Sequence, residues 1–193
     1  METLDELEKD LERALKVDDF ETVASVRRSI TQLHPDTTQA AEAHYKLGLD
    51  ALFRQRSLDA AAEHFRASAK LKIPQWGLPA RMSLGLVLLR QGKPQQAIFE
   101  LRRVAGVESP TAQSAQAAGM VVVALLEQGK STEAERARQQ HRRILDRLCK
   151  QGDGVDAALG HFMLGIEKKF DGDRAGAKAS LLAAQAMGDL PDE

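Results

Sequence analysis

The chain has 193 residues, a formal net charge of −1, and 43% hydrophobic against 28% charged residues. Such a composition can bury a core and excludes a disordered chain, while the near-neutral balance gives no general field for nucleic acid or an anionic membrane. One cysteine, Cys149, excludes an internal disulfide framework and fits a reducing, cytoplasmic compartment.

Good helix formers (Ala, Leu, Gln, Arg, Glu) dominate, and only 4% of residues are aromatic. The opening METLDELEKDLE is acidic and lacks the basic and apolar regions of a signal peptide. No apolar run approaches the ~18 residues that span a bilayer. In chain order the sequence reads as five helical hairpins, at approximately 3–35, 39–73, 79–107, 112–150 and 155–188, forming one domain over 1–193.

The first hairpin carries the pattern faintly, through Leu11, Val23 and Ile30 followed by Pro35. Its opening is charged, with Glu2, Asp5, Glu6, Glu8, Asp10, Glu12, Asp18 and Asp19 against Lys9, Arg13 and Lys16. The second centres on Gly48 in AHYKLGLDALFRQRSLDAAAEHFRAS, with one extra residue before Ala61 and Phe65. Trp76, between Pro74 and Pro79, is expected in an interhairpin loop, as a packed plug in preference to an exposed interface anchor.

The third hairpin shows the template most clearly. Gly85 is followed by Gly92 at +7, Ala97 at +12, Leu101 at +16 and Val104 at +19. A small residue in the first helix lets the second approach closely, and glycine at +7 suits a helix C-terminus that needs left-handed backbone. The larger residue at +16 fills the space between successive hairpins.

The fourth contains VVVALLEQGKST (121–132), which also reads as a strand running into a phosphate-binding loop. Aligning VLLRQGKPQQA (87–97) with ALLEQGKSTEA (124–134) at an offset of 37 decides against that. Pro94 stands where a magnesium-binding hydroxyl would be needed, and the supposed loop Leu125-Leu126-Glu127-Gln128 has no glycine to surround a phosphate. Val121–Val123 is therefore expected to be helical, with Ser131 and Thr132 as cap candidates and Glu135 completing a capping box with Thr132. No nucleotide is expected.

In the fifth, Gly165 is followed at the same offsets by Gly172, Ala177, Leu181 and Ala184. Asp171-Gly172-Asp173 lacks the later ligands of a calcium loop and reads as an interhelix turn whose Asp caps the next helix. Starting points 11, 48, 85, 122 and 165 thus repeat at 37, 37, 37 and 43 residues. One hairpin cannot bury its apolar face, so the hairpins must stack.

LGLVLLRQGKPQQAIFELRRV, HYKLGLDALFRQRSLDAAAEHFRAS and FMLGIEKKFDGDRAGAKASLLAA resemble tetratricopeptide repeats, and the resemblance extends over nearly the whole chain. The period exceeds the family's usual 34 residues. The fourth hairpin departs most, with Val122 for Gly, Arg138 for the large apolar residue and His141 for Ala. The resemblance implies an all-α fold, a right-handed α-solenoid of about five antiparallel helix pairs. It implies a concave face, built from first helices, that holds a peptide or helix of another protein without catalysis. Carried over, the groove positions are Met82, Leu86 and Leu89; then Gly119, Val123 and Leu126; then Phe162, Ile166 and Phe170. In the Gly48 hairpin the register leaves Tyr45 or Lys46, and Leu49 or Asp50.

Other chemistry is set aside. No His-Glu-x-x-His and no second cysteine mark a metal site, and no nucleophile stands beside a base, so neither cofactor nor enzymatic activity is expected. The chain contains no asparagine, whereas relatives that clamp a carboxylate or grip an extended peptide backbone use it. Lys46 mimics one clamp member, but Asp50 beside it would repel an anion. Residues 136–150 are basic, and Arg136, Arg142, Arg143 and Arg147 form a secondary charged contact surface for a partner. Nucleic acid is disfavoured there because no aromatics are available to stack on bases. Self-association through the opposed charges of 1–19 and 136–150 stays open.

The reading is an adaptor or scaffold binding an amphipathic helix or apolar-anchored peptide. The alternatives are a secretion-type chaperone for a hydrophobic client and a nucleic-acid-associated regulator using the 136–150 helix.

Overall fold

The computed structural model describes residues 2–151 and 154–187. Among them are ten α-helices and no strand. They are α1 (Leu4–Lys16), α2 (Phe20–Leu33), α3 (Thr38–Phe53), α4 (Leu58–Lys70), α5 (Pro74–Arg90), α6 (Pro94–Ala105), α7 (Ala112–Glu127), α8 (Ser131–Cys149), α9 (Val155–Phe170) and α10 (Arg174–Met187). Consecutive helices form five hairpins. By packing, the chain divides into two compact units, Met1–Glu100 and Leu101–Glu193.

Local chemistry sets most helix starts. Thr3 and Glu6 form a reciprocal capping box on α1, and the side chains of Asp19, Thr37, Ser57 and Thr111 cap α2, α3, α4 and α7. Each such cap stabilises its helix by about 1 kcal/mol. Asp173 accepts from the Gly176 N–H at 2.9 Å and caps α10, as expected of that turn. The +7 glycines all end helices in left-handed backbone, at φ 69° for Gly92, 70° for Gly129 and 83° for Gly172. In the first two hairpins Asp18 and Arg56 adopt the same conformation without glycine, at φ 53° and 54°.

In the first unit, Gly48 of α3 lies under the buried Phe65 of α4; a Cβ there would come within 2.7 Å of the ring. Phe65 anchors a core with Ala61, Leu84, Val87, Leu88 and Ala97. A second cluster, Leu7, Ile30, Ala40 and Ala43, joins the first hairpin to α3. The Ser68 hydroxyl is buried and donates to the Ala41 carbonyl at 2.8 Å. Arg81 pairs with Glu100 at 2.6 Å and donates to the Ala69 carbonyl, which links α4, α5 and α6.

The second unit repeats the construction. Gly165 of α9 lies 2.8 Å, measured from an added Cβ, from Leu181 of α10, and Gly160 makes a similar close contact with Leu148 of α8. Val121 and Val122 are buried within helical α7. The 37-residue offset, with Leu84-Gly85-Leu86 as counterpart, outweighs the β propensity of the valines.

Two local expectations are corrected. Trp76 is not in a loop: α5 begins at Pro74, five residues before the expected start. Proline suits the first helical position, and Pro79 in the second turn forfeits only one intrahelical donor. The tryptophan is half-buried against Tyr45, ring centroids 5.4 Å apart, so it does act as a packed plug. Neither Ser131 nor Thr132 caps α8, because Lys130 is the N-cap and makes no side-chain cap bond. The Gly129 turn starts the helix at Ser131, the position that Pro94 holds one repeat earlier.

Candidate partner-binding faces

The groove candidates differ between the two units. In the first unit, Leu86 is 45% exposed, whereas Met82 and Leu89 are half-buried and Leu89 packs against the Phe65 core. Tyr45 is wedged between Phe65 and Trp76, and Leu49 also leans on that core. Lys46 lies 5.8 Å above the Trp76 ring. Little open apolar surface remains on these helices beyond Leu86 and Phe53.

In the second unit α7 and α9 pack side by side. Val123 and Leu126 on α7, and Phe162 and Ile166 on α9, are 38–54% exposed, and Phe170 at the end of α9 is 82% exposed. Their opposite faces are fixed in the core by Val121, Val122 and Leu125 on α7 and by Ala157 and Ala158 on α9. Rigid helices therefore present five large apolar side chains to solvent, at i and i+3 on one helix and i, i+4 and i+8 on the other.

Beneath this face lies a polar network that replaces the expected apolar contact between α8 and α9. His141 is buried; its Nδ1–H donates to Glu167 Oε1 at 2.9 Å, and a Cβ on Gly119 would meet its ring at 3.4 Å. Arg142 donates to the second Glu167 oxygen at 3.1 Å and pairs with Asp171, which Arg138 also reaches at 3.5 Å. Burial alone would raise the Glu167 pKa, but the hydrogen bonds and charges of His141 and Arg142 outweigh it and hold the carboxyl below its ordinary value. His141 and Arg138, which break the repeat pattern, thus join Arg142 in holding α8 against α9.

The network changes the basic surface expected on α8. Arg142 is engaged with Glu167 and Asp171, and Arg147 donates to the Glu108 carbonyl at 2.5 Å. Arg136 and Arg143 are exposed. The four arginines do not form one free basic patch.

No protein-family model matches the sequence, and no curated protein matches it. Solved structures do. A crystal structure of MamA aligns with a TM-score of 0.54 at 18% identity, covering 92% of this chain and 93% of that one. A second MamA structure aligns at 0.55 and 16% identity, covering 94% and 89%. A Podosopora anserina kinesin light chain with nearly identical TPR-like repeats aligns at 0.58 and 13% identity over 97% of both chains. The chain is a tetratricopeptide-like repeat protein by fold. At these identities the likeness concerns the helical hairpin architecture, and the interaction chemistry must come from this chain's own side chains.

Proposed function

We propose that this tetratricopeptide-like protein is an interaction scaffold that receives an amphipathic helix or apolar-anchored peptide of another protein on the α7–α9 face. The observation that carries the proposal is the row Val123, Leu126, Phe162, Ile166 and Phe170, apolar and exposed on two helices whose other faces are fixed in a core. Apolar surface of this extent at helical spacing marks a docking site, because covering it recovers about 25 cal/mol per Å². Phenylalanines supply much of that area, and an incoming helix would place its i, i+3 and i+4 anchors along the strip. No chemical step is involved.

The basic helix takes no part in the proposal, since Arg142 and Arg147 are bonded internally. Among the described residues no helix is long and apolar enough to cross a membrane. Leu126→Glu with Ile166→Glu tests the reading. Partner recovered by the tagged protein from its host should fall at least tenfold, with helical content and melting temperature unchanged. Equal recovery by the variant would remove the α7–α9 face from consideration.

A further inference from the structure

A second surface, in the first unit, has a different chemistry. α2 and α3 enclose a cleft of about 250 Å³, room for one large side chain rather than a whole helix. Val23, Leu47 and Leu49 contribute its apolar lining, and the exposed rings of Phe20 and Phe53 stand at its edge.

Two cations enter this cleft without a carboxylate of their own. Arg27 is half-buried and has no hydrogen-bonded or ion-paired partner among the described residues; Glu42 and Asp50 act on it only from a distance. Burial lowers its pKa, against the opposing pull of the more distant Glu42 and Asp50. Lys46, on the same cleft wall, has no ion pair among the described residues, and its Nζ lies 5.8 Å from the centre of the Trp76 ring. Asp50, which in the sequence stands against anion binding, is otherwise engaged. Arg54 pairs with it at 3.5 Å, Gln55 donates to it at 2.8 Å, and Arg54 also lies 4.5 Å over the Phe20 ring. A guanidinium offers five donors in a fork that matches a carboxylate.

We infer that the α2–α3 cleft is a second docking site, which takes a short acidic segment of a partner protein by seating one apolar side chain between Phe20 and Phe53 and a carboxylate on Arg27 and Lys46. Charge selects the occupant: a neutral or basic segment would cover Arg27 and leave its donors unmet. The site is independent of the α7–α9 face.

The probe is a fluorescently labelled, end-capped hexapeptide of Asp and Glu around a single Phe, followed by anisotropy. Saturable binding at low salt is expected, weakening several-fold on a tenfold increase in salt. Arg27→Gln should weaken it at least tenfold, Arg27→Lys less, and Phe53→Ala at least threefold, with circular dichroism unchanged. A peptide with Lys in place of the acids should not bind. Leu126→Glu/Ile166→Glu should bind the probe like the wild type, which separates this site from the α7–α9 face. The inference is overturned if Arg27→Gln binds with wild-type affinity or the Lys peptide binds equally well. It is overturned too if sedimentation shows a dimer that Arg27→Gln dissolves, since the cleft would then be covered by a second copy.

Discussion

Replacing Gly48 by alanine isolates the close approach on which each hairpin depends. An alanine Cβ would lie 2.7 Å from Cδ1 and Cε1 of Phe65 and 3.1 Å from its Cζ. The ring is fully buried among Ala61, Leu84, Val87 and Leu88, so it has no solvent to retreat into. With two contacts under 3 Å to a ring that cannot move out, the overpacking cost falls in the upper part of the usual range, about 2–3 kcal/mol. Alanine returns up to about 1 kcal/mol of helix propensity over glycine, which leaves a net loss of about 1–2 kcal/mol. For a chain of this size that lowers the melting temperature by roughly 2–8 °C. Gly77→Ala is the matched control: it too lies inside a helix, but its added Cβ meets nothing within 4 Å. It should be neutral or stabilising by up to about 1 kcal/mol. Thermal and urea melts followed by circular dichroism measure both. A Gly48→Ala protein that melts at or above the wild-type temperature would refute the reasoning, because the Phe65 packing would then be soft.

Three further outcomes are expected. Glu167 has a lowered pKa in the fold, so the stability it contributes is present above its ordinary 4.5 and is lost as pH falls through the lower folded value; Glu167→Gln should be less stable at pH 7, and the gap should narrow progressively in melts taken at falling pH below 4.5. His44 and His64 face one another with Nδ1 atoms 3.2 Å apart, and burial lowers both from 6.5, with the facing His64 adding to the effect on His44 and Glu63 opposing it on His64. The neutral pair favours the fold above 6.5, and that contribution fades as pH falls through the folded values, so His64→Gln should flatten the decline in melting temperature between pH 7 and 5. Burial and the Asp146 charge raise the Cys149 thiol pKa; its alkylation by iodoacetamide at pH 8 should be several-fold slower in the folded protein than in urea.

The repeat spacing made the hairpins legible, since glycine at +7 and the small-to-large pair at Gly48 and Phe65 are local constraints that recur at a fixed offset. The family resemblance, carried over residue by residue, put Val123, Leu126, Phe162 and Ile166 on one groove-facing strip, and the structure leaves these four exposed. What escaped were pairings without a period. Glu167 and Asp171 meet His141, Arg142 and Arg138 across 25 to 33 residues, and only the misfit of His141 and Arg138 to the template hinted at a substitute contact. The α2–α3 cleft escaped likewise. Phe20, Arg27 and Lys46 converge there through tertiary packing, and Asp50 counted as a free acid until Arg54 and Gln55 were placed on it. Helix starts at Pro74 and Ser131 were misplaced because a proline at the first position and a left-handed turn glycine can begin a helix without a side-chain cap.

Site-specific photo-crosslinking in the native host tests the central claim most directly. With p-benzoylphenylalanine in place of Val123 or Ile166, ultraviolet light should join the protein to the same partner from either position. The same group at Arg136, on the outer helix α8, should give no such adduct. Crosslinks to that partner from Arg136 alone, with none from positions 123 and 166, would contradict the account.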